Sequence, residues 1–173
     1  MSLKPQDVCV ALRIVADGSK RVTYSRLAEE LVMSPSEVHA AVKRAHASHL
    51  LHGPELEHRP NISGIEEFLI HGLKYAFPAE HGELTRGVPT SYAAAPLKGL
   101  FAKSDDPVPV WPYAEGGQRG FAFAPLYKTA PAAALRDPLF YEYLVLADAL
   151  RDGRARERQL AEKELRKRLR ESR

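Results

Sequence analysis

Apolar positions recur with a helical period through the first third of the chain. Over residues 5–16, Val8, Ala11, Leu12 and Val15 make one stripe, which Asp17-Gly18 closes as a turn or C-cap. Cys9, Val10 and Ile14 widen that stripe, so this helix is expected to be covered on more than one side, a second subunit being one way to do it. Tyr24, Leu27, Ala28 and Leu31 then fall at i, i+3, i+4 and i+7 on a second helix, with Thr23 as its N-cap. Val32, Met33 and Ser34 interrupt the period. Ser34-Pro35-Ser36-Glu37 reads as a capping box with proline at the first helical position, and it starts a third helix. The inner face of this helix is Val38, Ala41, Val42 and Ala45, small enough to lie close on the second; its outer face is Ser36, His39, Ala40, Lys43 and Arg44.

Beyond Leu51 the pattern changes. Residues 52–60 carry two prolines and charges of both signs, which leaves room for a much reduced pair of strands at most. There His58 and Arg59 either reach a groove or phosphate or belong to a solvated loop. Ser63-Gly64-Ile65-Glu66 is a second capping-box candidate, and Ile65, Phe68, Leu69, Gly72, Leu73 and Ala76 face inward on a helix that must stop at Pro78. Gly72 costs that helix about 1 kcal/mol, so it should mark the close approach of another backbone. Residues 78–130 hold many of the prolines and glycines and show little periodicity, apart from a readable hairpin in which 108–113 and 118–123 flank Glu115-Gly116-Gly117. Asp137-Pro138 opens a further helix with Leu139, Tyr143, Leu146, Ala147 and Leu150 in register. Asp152-Gly153 breaks it, and a charged last helix follows with Ala161, Leu165, Leu169 and Leu160 as its seam.

These elements predict a mainly α protein. Residues 1–60 form a helix-turn-helix domain, 61–130 a helix plus an irregular segment with the hairpin, serving as sensor or docking region, and 131–173 the C-terminal helices for dimerisation or partner binding. A chain of 173 residues is ample for a buried core. Its net charge of +3 and pI near 9.0 permit nucleic-acid binding without demanding it. The distribution is more informative: from residue 151 onward ten cations face five anions, a local balance of +5. Such a run reads as a solvated helix with internal ion pairs, or as a surface for a second copy or a partner. The single cysteine, Cys9, excludes an internal disulfide and a cysteine metal cage, fits a core position, and points to a reducing, cytoplasmic setting. Neither a signal peptide nor a membrane-spanning run is expected.

Candidate chemistry is sparse. His46, His49 and His52 follow at three-residue steps, with Glu55 or His58 nearby, but such steps drift round a helix axis and do not converge on one ion. No nucleophile elbow or phosphate-binding glycine loop occurs, Asp105-Asp106 reads as turn chemistry, and Thr85 to Thr90 suggests no reaction. The expectation is therefore no catalysis, no metal and no cofactor.

A helix, a tight turn and a second helix with a polar outer face is the arrangement that sets a recognition helix into the DNA major groove. RLAEEL as the supporting helix and SPSEVHAAVKRAHASHLL as the recognition helix, followed by His52-Gly53 where a wing would begin, resemble the winged helix-turn-helix regulators of the MarR-like group. The resemblance covers about the first third of the chain, and the reduced wing departs from the pattern. It implies a transcriptional regulator that binds double-stranded DNA as a homodimer, through Lys20, Arg21, Tyr24, Ser34, Ser36, His39, Ala40, Lys43, Arg44 and Arg59. The alternative is an antitoxin-like or adaptor protein that engages a partner protein through its middle and C-terminal regions.

Overall fold

The computed structural model describes residues 1–18, 21–54 and 57–172. Three helices open the fold: α1 (Pro5–Asp17), α2 (Tyr24–Leu31) and α3 (Pro35–Ala47). Their ends form as the sequence predicts. Gly18 caps α1 in the left-handed conformation at φ 64°, the Thr23 hydroxyl accepts from the Arg26 amide, and Ser34 and Glu37 bond reciprocally at the start of α3. After α3 a two-residue strand β1 (Leu51–His52) pairs antiparallel with β2 (Arg59–Pro60).

The next helix is one rod in three parts: α4 (Ile62–Glu67), a π-helical turn (Phe68–Gly72) and α5 (Leu73–Ala76). Two expectations need correction here. Its N-cap is Asn61, whose side chain accepts from Gly64 and donates to the His49 carbonyl, so Ser63 lies inside the helix and caps nothing. Gly72 makes room for the Phe68 ring of its own helix, whose atoms are the nearest to a Cβ placed there.

A closed three-stranded unit occupies part of the segment read as irregular. β3 (His81–Pro89) pairs antiparallel with β5 (Gln118–Phe123) along most of its length and with β4 (Pro109–Pro112) at its end. The expected hairpin is absent: β4 and β5 run parallel, with Pro109 opposite Phe121 and Val110 opposite Ala122. Pro109 and Pro112 lack donors that a hairpin ladder would use, and the link between the strands crosses β3 instead, Tyr113 bonding the Arg86 carbonyl. The glycines permit the crossing. A Cβ on Gly87 would collide with the Trp111 carbonyl, and one on Gly120 with that of Val108.

The chain ends in α6 (Ala130–Ala134), α7 (Pro138–Asp152) and α8 (Ala155–Glu171). α7 is the centre of the molecule. Phe140 and every residue from Tyr143 to Leu150 are buried, and α1, α5, α6 and α8 all pack on it. One continuous apolar cluster runs from α1 to α8. The wide stripe of α1 is therefore covered by the chain's own α7, and Ala161, Leu165 and Leu169 of α8 are fully buried within the same chain. Neither helix needs a second copy to hide its apolar face.

The β unit is fastened to α7 through a buried charge. Asp148 accepts from the Thr90 hydroxyl at 2.6 Å and the Trp111 indole at 2.7 Å, and pairs with Arg151 at 2.8 Å. Arg151 also donates to the carbonyls of Phe77 and Ala124, the residues on either side of the strands. Burial pushes the Asp148 carboxyl above the usual range, against the pull of Arg151 and the two neutral donors. Among the described residues no helix is long and apolar enough to cross a membrane.

Candidate functional site

The most open helical face in the N-terminal part belongs to α3. Val38, Ala41, Val42 and Ala45 are buried against α1 and α2, which leaves Ser36, His39, Lys43 and Ala47 exposed and Ala40 half-exposed. Ser34, at the entry to that face, is exposed and bonded through its hydroxyl to the Glu37 amide and to Ser36. Val32, left-handed at φ 56°, turns the chain between α2 and α3, while Met33 tucks into the core. No acidic side chain stands on the outward face. Glu37 lies on its flank and is fully engaged, accepting from the Tyr127 hydroxyl at 2.5 Å and the Ser34 amide at 2.9 Å. The Tyr127 bond, followed by those from Ser34, holds its carboxyl down at about 2, and the same bond raises the Tyr127 phenol to about 12.

Arg44 is a correction. It does not face outward; its guanidinium takes both oxygens of Asp7, at 2.8 and 2.7 Å, a fully buried residue in the first turn of α1. A carboxylate that deep needs a cation, and residue 44 shares the flank of Glu37 rather than that of Lys43. Lys43 has no ion-pair partner among the described residues. Arg21 is exposed with Glu57 at 3.8 Å, and Arg59, also exposed, donates to Glu57 at 2.8 Å, so one acid lies between these two cations. Lys20 and Glu55 lie outside the described residues.

The other flank of α3 is aromatic. Tyr24 meets His39 edge-on at 5.2 Å and leans on His58 at 5.1 Å, and His58 in turn faces His46, with Nε2 of His46 and Nδ1 of His58 3.1 Å apart. His58 is buried, which corrects both sequence readings of it, as a groove contact and as part of a solvated loop. One imidazole must donate and the other accept, so at most one of the two carries a charge while the bond is made. Burial, and then the neighbouring imidazoles, lower both pKa values. Among the described residues no group of three or more metal-binding side chains converges.

A third contributor has no signature in the sequence. The chain from Tyr127 to Asp137 wraps the corner between α2 and α3: Thr129 donates to the Leu31 carbonyl, Arg136 to that of Glu29, and the buried Arg13 joins Glu30 at 2.9 Å and Asp137 at 3.4 Å. Lys128, beside Glu37, is exposed at the entry to the α3 face. These contacts span about a hundred residues of sequence, and no periodicity or spacing announces them. Comparison of the chain with family models, curated proteins and solved structures finds no match.

Proposed function

We propose that the protein is a sequence-specific DNA-binding regulator of transcription, with α3 as the helix that enters the major groove. The observation that carries this reading is the outward face of α3: capped at its start, small and polar, bearing Lys43 and His39 and no acid, on a helix seated firmly against α1 and α2. In this reading Ser36, His39 and Ala40 meet base edges, while Lys43, Arg21, Arg59 and the entry residues Ser34 and Tyr24 meet backbone or fix the approach. Lys128 joins them from the wrapped segment. The ribbon of β1 and β2 stands where a wing follows in MarR-like regulators, yet it is too short to reach far, so the burden falls on α3. A homodimer belongs to the proposal through the symmetry of paired half-sites alone, because the apolar faces of α1 and α8 are satisfied within one chain. Such a regulator works in the cytoplasm, and the thiol of Cys9, buried and raised to about 12, suits a reducing compartment.

Titration of labelled genomic duplexes by anisotropy tests the reading. Binding should weaken steeply with salt, and Lys43→Ala should weaken specific and non-specific binding together while leaving the fold intact. Salt-independent binding, or unchanged affinity in the variant, counts against it.

A second reading, an adaptor or antitoxin-like protein, has one observation in its favour. Leu84 and Phe121 are cross-strand neighbours on the β unit, and each leaves 46 % of its surface exposed. If a purified partner binds through that pair, Leu84→Ser with Phe121→Ser abolishes capture and spares DNA binding.

A further inference from the structure

The acids of α8 are not spread round the helix. Glu162 and Glu164 are spent on Arg166 and Arg168, which reach inward: Arg166 also takes Glu66 of α4, and Arg168 takes Glu142 of α7 at 2.8 Å. Glu157 caps the helix start through the Arg154 amide. Exposed and without an acidic partner among the described residues are Arg158, near the helix start on the opposite side, and Arg156, Lys163, Lys167 and Arg170, which share one side. At 100° and 1.5 Å per residue these four fall within a sector of about 60° along about 21 Å of helix, with Gln159 between them. Exposed Glu171 borders the stripe at its end. Lys163 and Lys167 stand at i and i+4 with like sign, which costs the helix stability rather than adding to it.

From this segregation we propose that the outer face of α8 is a second nucleic-acid contact, binding the phosphodiester backbone without regard to sequence. A duplex presents about one negative charge per 1.7 Å of axis, so a stripe of this length meets a dense row of phosphates. The sector has no aromatic or aliphatic anchor, and a protein interface needs one at its centre, so a polyanion fits and an acidic protein surface does not. Two helices, α1 and α7, lie between α3 and α8. The stripe therefore acts independently of the α3 face, and the inference does not rest on the major-groove reading.

The experiment uses the full chain and a scrambled 30-base-pair duplex, with affinity measured across salt concentrations. Lys163→Gln, Lys167→Gln and Arg170→Gln in one chain should lower the slope of log K against log salt by about 3 while thermal stability holds, since each phosphate contact contributes about 0.9. Lys43→Ala with His39→Ala serves as the comparison: it should relax sequence preference and keep most of that slope. A triple variant with the wild-type slope overturns the inference, as does a wild-type chain that binds poly-L-glutamate but no duplex. If the slope falls as stated and no preferred sequence exists, the α8 contact stands and the α3 reading fails.

Discussion

Asp148→Ala should be the most damaging single change in the C-terminal half. The Asp148 side chain is 2 % exposed and that of Arg151, its partner at 2.8 Å, only 4 %, so the substitution leaves a cation buried without its counter-charge. It also orphans the Thr90 hydroxyl and the Trp111 indole N–H. Breaking one side of a buried ion pair costs about 3–5 kcal/mol. In a chain of this size each kcal/mol moves Tm by about 2–4 °C, so a fall of about 6–20 °C is expected. Asp148→Asn, which retains one oxygen acceptor of nearly the same shape, should lose less. Trp111 is the only tryptophan in the chain and touches the carboxylate itself, so its fluorescence reports release of the β unit from α7. In the alanine variant its transition should precede the loss of helical circular dichroism. A loss below about 1 kcal/mol, or coincident transitions, would refute the idea that this cluster fastens the strands to the helix.

Arg44→Ala should lower Tm by several degrees because it leaves buried Asp7 unpaired, whereas Lys43→Ala on the next residue should leave Tm unchanged within about 1 °C; thermal melts of the two variants decide it. The lowered pKa values of His46 and His58 mean that the unfolded chain takes up protons first as pH falls. Stability linked to them is present above about 6.5 and declines as pH drops through that value toward their folded pKa values, and His58→Gln should flatten this dependence in melts between pH 7.5 and 5. Gly87→Ala should unfold the strand crossing, since its methyl group meets the Trp111 carbonyl; a shifted Trp111 emission in native buffer is the readout.

The local signals in the sequence were reliable where one short stretch decides the outcome. Thr23, the Ser34–Glu37 box, Asp137 and the glycines at 18 and 153 all end or begin helices as their chemistry dictates. The inner faces of α3 and α8 follow from period alone. Apart from Ser63 and Gly72, whose roles are decided by Asn61 and Phe68 close by, what failed was chemistry set by partners far along the chain. β3 carries only Leu84 and Val88 as strong apolar residues, and Gly87, one of the glycines of an aperiodic segment, is a place where strands cross in contact. Arg44 looked like a free cation because its counter-charge, Asp7, is 37 positions away and its burial has no signature in sequence. Of the candidate interface, the exposure of Ser36, His39 and Lys43 on α3 was legible, while Tyr127, Lys128 and Thr129 belong to it only because the chain returns there after the β unit.

Whether α3 reads DNA sequence is decided by selection from a pool of randomised duplexes. The full-length chain and its His39→Ala variant, matched in Tm, are each carried through the same rounds of binding and sequencing. The account predicts a defined motif for the wild type and, for the variant, a motif that relaxes at one or two adjacent positions with the rest retained. No enriched motif for the wild type, or the same motif from both proteins, would contradict it.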